Sequence, residues 1–536
     1  MLSRPLVLAA FICAGFGLLS MVLGPDNNWD LRFYHLYAPW AYLQDRYTYD
    51  IGPAQLQGYF NPTLDFLFYG LVSSPLNDYP RVIAFIMGAV HGINAALIFE
   101  IARHVIRIPH DAARTALQIM AFLFGVTGAG FISLLGLTTG DLLNSIFILS
   151  ALLAILKTSQ VEAGTRVTAG FALSGLLAGI GLGLKYTAAI FMPGLALVAV
   201  ASAIRQRTMS GAIAFAALLL AGLLITAGHH MLVLWNLFEN PFFPSLNNIF
   251  KSPAYEFVSL RDPQFLPDST LQAITYPFYW TVRNVHVVSE LPFRDWRGAM
   301  AYVAIVVWCV MLLVRYGRRR EFASGSRSDT CNLGSIIIFV VVSYFAWVSG
   351  FGIYRYAVVL EMLTGVMVFG VLVSVISWNT LRAIGGLTLL LLAVGTTQYV
   401  DWGRGAHASR GIRPAPYTGK YIDIRVPPIP KHSIVLLATG QPASYFIPYA
   451  EPTARFLGIE NNFLKLSQDN ALVAEIGRLM RTPGSPKFIV RVGKSDSDRL
   501  DDVLRHFDLQ LAPTPCQPII SNLEEHPLSL CPTEPL

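Results

Sequence analysis

Long apolar runs recur along most of this chain, and they restrict it to folds that use lipid as part of their solvent. Pro5 to Leu23, Ala116 to Leu137 and Ser335 to Trp347 are nearly free of charge. They approach the length of roughly 20 residues that a helix needs to cross a bilayer. Only 13% of residues are charged and 54% are hydrophobic, against roughly 25% charged in soluble proteins. The mean hydropathy is +0.51.

The pattern predicts about eleven transmembrane helices, at 5–23, 80–101, 116–136, 141–157, 168–184, 188–204, 211–228, 298–314, 333–350, 355–377 and 382–400. The first run is expected to stay in the mature protein, because Gly24-Pro25-Asp26 lacks a small-x-small cleavage site. Basic residues test this topology. Arg103, His104, Arg107 and Arg114; Lys157 and Arg166; Arg205 and Arg207; Arg315, Arg318, Arg319 and Arg320; and Arg382 all fall on one side, which the positive-inside rule makes the cytoplasm. The net charge of +6 is thereby explained by topology, and no nucleic-acid partner is expected.

Asn61 to Leu76, with two prolines and Asp65 in an apolar run, reads as a re-entrant or interfacial segment, since a full span there would invert every later loop. Two long outer loops follow, about 24–79 and 229–297, together with an outer tail. In the first, Phe33, Leu36, Tyr37, Trp40 and Leu43 repeat at helical spacing opposite Arg32, His35, Tyr42 and Arg46. That pattern predicts an amphipathic helix lying on the membrane, kinked at Pro39.

Composition changes at Asp401, where Gly, Arg and Pro accumulate through Pro430. Residues 1–400 therefore form an all-α polytopic membrane domain, 401–430 a linker and 431–536 a small α/β domain. Strands are expected at Ser433 to Thr439 and Lys487 to Val492, and helices at Leu464 to Met480 and Asp496 to Phe507. Of five cysteines, Cys516 and Cys531 lie together in this outer domain, where a disulfide survives. Zinc is not expected there for want of neighbouring ligands.

The first outer loop opens with Trp29-Asp30-Leu31-Arg32-Phe33-Tyr34-His35 directly after the first span. With Tyr37-Ala38-Pro39-Trp40, Phe60-Asn61-Pro62-Thr63-Leu64, Thr139-Gly140-Asp141, Lys185-Tyr186-Thr187 and Tyr354-Arg355-Tyr356, it resembles the GT-C superfamily of integral membrane glycosyltransferases. The resemblance covers roughly residues 1–400 and is nearest the bacterial branch that includes glycosyltransferase family 87. It implies a polyprenyl-phosphate-linked sugar donor, an extracytoplasmic glycan, lipid or protein acceptor, inversion at the anomeric carbon and a bacterial inner-membrane location. Asp30 matches the acidic residue that the superfamily places early in this loop.

The chemistry is coherent without the resemblance. A sugar phosphate carries a good leaving group, so its departure needs cations, and the acceptor hydroxyl needs a base. Asp30 is the candidate catalytic base. Lys185 and Arg355, at the outer ends of helices on the side where basic residues are disfavoured, are candidates to hold the donor phosphate. Asp141 is a candidate second acid or acceptor-positioning residue, with Arg32 and His35 in support. Asp65 and Glu361 are weaker candidates because they lie in apolar surroundings, where acids either act or pair with a cation.

Each has a structural alternative: Asp30 as a residue that starts a helix, Asp141 as a charge at a helix N-terminus, Lys185 and Arg355 as interface anchors. No cofactor is required by these residues. A divalent metal stays open, because no compact Asp-x-Asp occurs in the first loop. His229-His230 make a poor metal pair, since neighbours on a helix diverge, and they read as interfacial hydrogen-bonding groups. Aromatic residues at 235–244 and 276–280 suit sugar stacking or an ordinary membrane-interface belt. Gly179, Gly181 and Gly183 lie within a span and read as helix-packing residues. The rival to an enzyme is a polytopic lipid or solute transporter or flippase, but no duplicated halves are visible.

Overall fold

The computed structural model describes residues 4–161, 165–260, 262–282, 287–317, 327–404, 415–493, 497–523 and 526–536. The chain begins with α1 (Arg4–Leu23). The first loop carries a π turn (Leu31–His35), α2 (Tyr37–Leu43) and α3 (Phe66–Val72). There follow α4 (Pro80–Val105), α5 (Asp111–Val126), α6 (Ala129–Leu134), α7 (Asp141–Thr158), α8 (Thr165–Leu184), α9 (Met192–Arg205) and α10 (Met209–Phe238). The second loop holds α11 (Asn247–Phe250) and α12 (Thr270–Thr275). The bundle closes with α13 (Arg297–Gly317), α14 (Arg327–Gly350), α15 (Val358–Val375) and α16 (Asn379–Thr396).

Ten of these helices are long and apolar enough to cross a membrane, α9 and α15 each counted with the 3-10 turn before it. Leu6, Phe11, Leu18, Ile213, Ile225, Leu313 and Leu391 stay exposed on them. So much uncovered apolar surface is stable only against lipid, and the protein is a multi-pass membrane protein.

The expected span at 116–136 is instead interrupted. Gly128 separates α5 from α6, yet the chain still passes from end to end of the bundle. Gln118 at one end donates to the Ile106 carbonyl (2.8 Å), and Thr138 at the other donates to Asp26 (2.7 Å). The break is held by buried carboxylates. Asp295 accepts from the Ala129 N–H (2.9 Å), and Glu361 from those of Gly130 (2.7 Å) and Phe131 (2.8 Å). A Cβ on Gly128 would stand 2.1 Å from Glu361 Oε1, so only glycine admits the carboxylate. Arg297 neutralises Asp295 at 2.9 Å, both side chains being 0% exposed. Glu361 thus satisfies backbone donors freed by the break, which explains an acid at this depth.

The three glycines before Lys185 pack helices together. A Cβ on Gly179 would lie 2.0 Å from the Leu219 carbonyl oxygen of α10, and one on Gly181 would lie 3.0 Å from Ile148 of α7. Helix α8 is thereby pressed between two neighbours. Arg318, Arg319 and Arg320, used above to orient the bundle, lie outside the described residues.

The C-terminal domain contains β1 (Ile424–Arg425), β2 (Ile434–Ala438), β3 (Arg455–Ile459), α17 (Ala471–Arg481), β4 (Lys487–Val492), α18 (Ser497–His506), β5 (Leu509–Leu511), β6 (Gln517–Ser521) and β7 (Leu528–Pro535). The sheet order is β1-β6-β7-β4-β2-β3, with β5 on β7. β2 pairs in parallel with β3 and β4, while β4 pairs antiparallel with β7. β1 falls within the stretch expected to be linker. A disulfide joins Cys516 to Cys531.

The domain sits on the first loop. Ile51 extends the sheet edge, donating to Phe456 O (3.0 Å) and accepting from Gly458 N (2.8 Å). Arg46 donates to the carbonyls of Pro452 and Ala454 (2.6 Å each), and the Ser444 hydroxyl donates to the Phe33 carbonyl. Leu31, Phe33, Leu36, Tyr37 and Ala38 are consequently buried. The expected amphipathic helix on the membrane surface is instead a π turn and a short α-helix enclosed between domain and bundle. Pro39 lies in the first turn of α2, where a missing N–H breaks no helix bond.

Candidate active site

At the end of the bundle that carries the C-terminal domain, six polar residues from five stretches of chain converge. Asp30 precedes the π turn, and Asp141 is the first residue of α7, after Gly140 in the left-handed region (φ 77°). Lys185 follows α8 in extended backbone, and Arg355 lies on the 3-10 turn Tyr354–Ala357. Asp65 leads into α3, and His35 closes the π turn.

Two ion pairs organise the cluster. Arg355 Nη1 donates to Asp30 Oδ2 across 325 positions of sequence. Lys185 Nζ donates to Asp141 Oδ1 and to the Thr139 carbonyl, both at 2.6 Å. Lys185 and Arg355 are each 18% exposed, against 14% for Asp30 and 4% for Asp141. Both cations lie near the Tyr356 ring, each 5.3 Å from its centroid, which adds cation–π attraction. Neither cation extends away to water as an anchor would.

Burial pushes the Asp30 carboxyl upward, but the charges of Arg355 and His35 and the Arg355 hydrogen bond outweigh it and hold it below its ordinary value. For Asp65 the balance reverses. Burial raises it, with His35 and Lys185 opposing. His35 Nδ1–H donates to Asp65 Oδ1 at 2.6 Å, and the Tyr34 ring lies 4.0 Å from the imidazole, centroid to centroid.

Several buried polar atoms here have no hydrogen-bond partner among the described residues: Arg355 Nε, Asp141 Oδ2, Asn144 Oδ1, Tyr186 Oη and His35 Nε2. Donors and acceptors left open around two ion pairs are what a polar ligand can satisfy. Asn61 aligns the first loop with the helices beneath it, donating to the carbonyls of Gly183 (2.8 Å) and Thr226 (2.9 Å).

The structure therefore brings together Asp30, His35, Asp141, Lys185 and Arg355. Asp65 joins them and ranks above its sequence standing. Glu361 belongs to the α5–α6 break. Arg32 is buried, with its guanidinium 6.0 Å from the Trp29 ring. The imidazoles of His229 and His230 hydrogen-bond to Tyr42 and Tyr47, respectively. Sequence reasoning quoted Tyr356 within its motif without giving its ring a role, and it missed the buried support of Asp26, which accepts from Asn28 (2.8 Å) and Thr138 (2.7 Å). The Asp-Asn-Asn run before Trp29 was the available signal. Among the described residues no group of three or more His, Cys, Asp or Glu is arranged to hold a metal ion.

An apolar cavity of about 290 Å³ opens within the bundle between α13, α14 and α15. Ile305, Val340, Tyr344 and Leu360 line it, with Trp280, Tyr354 and Glu361.

No family profile matches the sequence, and no curated protein matches it. Among solved structures the chain is similar to the crystal structure of the Archaeoglobus fulgidus oligosaccharyltransferase complex with Zn and sulfate. Identity is 15% and the TM-score 0.46, over 91% of this chain and 67% of that one. The same archaeal enzyme tethered to an acceptor peptide with an NVT sequon gives 12% identity and a TM-score of 0.45, over 90% and 69%.

Proposed function

We propose that this protein transfers a sugar from a polyprenyl-phosphate-linked donor to a hydroxyl of a glycan, lipid or protein acceptor, on the membrane face that carries its C-terminal domain. That face is the extracytoplasmic one of a bacterial inner membrane in this reading, with the N-terminus in the cytoplasm. The observation that carries it is the pair of carboxylate–cation couples around Tyr356, in a bundle that also holds an apolar cavity. A charged site and an apolar cavity in one bundle suit a ligand that is both phosphate and hydrocarbon.

The residues divide the work. Arg355 offers its open Nε to the donor phosphate, and Lys185 adds a second charge. As phosphate draws on Arg355, Asp30 is released to take the acceptor's proton. The acceptor oxygen bonds to the anomeric carbon while the carbon–phosphate-oxygen bond breaks, its electron pair leaving with the phosphate. Attack opposite the leaving group inverts that carbon. Asp141, with Oδ2 unpartnered, orients a hydroxyl of sugar or acceptor.

The test uses purified full-length protein in lipid nanodiscs, radiolabelled polyprenyl phosphate sugars and a crude envelope acceptor. Label passing into the acceptor with consumption of donor supports transfer. Donor that crosses a bilayer unconsumed overturns it in favour of transport.

A further inference from the structure

A second cavity, polar and of about 210 Å³, lies where the first loop leaves α1 and meets the C-terminal domain. Asp26, Pro80, Arg404, Tyr417, Lys420 and Tyr421 are in its wall, and it shares no residue with the Asp30–Arg355 cluster. Arg404 is the group its surroundings leave unfinished. It is 2% exposed, and its Nη1 donates to the Gly24 carbonyl at 2.6 Å. Nε and Nη2 have no partner among the described residues. These two nitrogens form one edge of the planar guanidinium, the fork that grips two oxygens of a single anion. A Cβ on Gly136, whose φ is 76°, would stand 2.1 Å from Ser20 Oγ, itself unpartnered, and 3.3 Å from Arg404 Nη2. Glycine there keeps the space beside the fork open.

Neither nearby carboxylate reaches the open nitrogens. Asp26 accepts from the N–H and side-chain amide of Asn28 and from the N–H and hydroxyl of Thr138. Asp401 Oδ1 accepts from the N–H groups of Gly403 and Arg404. Burial pulls the Arg404 guanidinium below its ordinary value, and the charge of Asp26, the first of the opposing groups, does not offset it. A buried cation so placed lacks an anion. Two more cations stand at the cavity. Lys420 meets Asp78 at 3.4 Å, both side chains being more than half exposed, and Arg81 lies 5.5 Å from the centroid of the Tyr417 ring. Tyr421 Oη accepts from the Asp26 N–H at 2.9 Å and has its own hydrogen to give. Val22, Tyr79 and Val82, at the adjoining ends of α1 and α4, are exposed, so the cavity lies beside lipid-facing surface.

We propose that this cavity binds a phosphoryl group, gripped by the Arg404 fork with Lys420 as the outer charge, and that a phospholipid headgroup supplies it. The lipid-facing side chains around the cavity favour the headgroup, while inorganic phosphate offers the same oxygens without the acyl chains. The site stands apart from the transfer chemistry, and its test needs no transfer activity.

Calorimetric titration of the full chain in detergent uses three probes: dihexanoyl phosphatidic acid, inorganic phosphate and, as an uncharged control, dihexanoylglycerol. Lys185 and Arg355 also hold phosphate in the reading above, so the informative quantity is the difference between wild type and variants of this cavity. Arg404→Met removes the fork and should weaken phosphatidic acid binding about tenfold or more. Lys420→Met, at an exposed position, should weaken it about threefold, and it decides alone if Arg404→Met does not fold. Dihexanoylglycerol should give the same result in wild type and both variants. Phosphatidic acid bound about tenfold more tightly than inorganic phosphate by the wild type supports the headgroup; equal affinities overturn the lipid source in favour of free phosphate. No binding of either by the wild type, or binding unchanged in the folded variants, overturns the site.

Discussion

Lys185 and Arg355 lie over one tyrosine ring, that of Tyr356, each 5.3 Å from its centroid. Each is also joined to a different carboxylate, Asp141 and Asp30 respectively. Neighbouring cations repel, so the arrangement persists because two anions and the face of an aromatic ring compensate them. In the proposed function a phosphate, singly charged in the sugar donor and dianionic once the sugar has left, would compete with the carboxylates already in place.

Asp30→Asn keeps the shape of the side chain and removes the proton acceptor. Transfer should fall by roughly two or more orders of magnitude. Donor binding should persist, because the amide oxygen still accepts from Arg355. Rates from radiolabelled donor, measured beside donor affinity, check this, and near-normal turnover rejects Asp30 as the base.

Lys185→Met and Arg355→Met retain apolar length while deleting charge. Each should weaken binding of a polyprenyl phosphate about tenfold or more and leave an uncharged polyprenol nearly unaffected. Tyr356→Leu should weaken phosphate binding by a smaller factor, since a cation–π contact contributes about 0.5–2 kcal/mol. Parent-like phosphate binding in both charge variants would return Lys185 and Arg355 to a structural role.

The Asp295–Arg297 pair is fully buried and braces the α5–α6 break. Arg297→Met leaves Asp295 charged and unpaired, with an expected loss of about 3–5 kcal/mol. Thermal unfolding in detergent should show a clear drop in Tm. Arg297→Met combined with Asp295→Asn should recover part of it, and an unchanged Tm in the single variant would show that the pair contributes no net stability.

In the orientation proposed above, ten helical spans and the interrupted α5–α6 segment together would carry the start of α1 and the C-terminal domain to opposite sides of the membrane. A reporter active only in the cytoplasm should be silent when fused after Arg404, and Cys516–Cys531 should resist thiol labelling until reduced. Cytoplasmic activity at Arg404 would reverse the orientation and remove the oxidising compartment that the disulfide needs.

The membrane domain was legible in the sequence because its cause is local: a helix in lipid must be apolar over roughly 20 residues, and ten runs carry that requirement openly. The α5–α6 crossing was legible only as an apolar run. Its break depends on Asp295 and Glu361 arriving from distant helices to cap donors that α5 and α6 cannot satisfy by themselves. The first loop was misread as a surface helix because Phe33, Leu36 and Tyr37 look the same whether lipid or protein covers them. Contacts from Ser444 and from the segment around Ala454 decide for protein.

By itself the sequence determined the solvent, ten of the apolar helices, the two strands expected at 433–439 and 487–492, and which residue types stand near one end of the bundle. Tertiary structure alone decided that Asp30 meets Arg355, that Asp141 meets Lys185 and that Asp65 holds His35. Hydropathy is summed along the chain and survives in one dimension. An ion pair between residues 325 positions apart depends on how helices from separate stretches pack, and no local pattern records it.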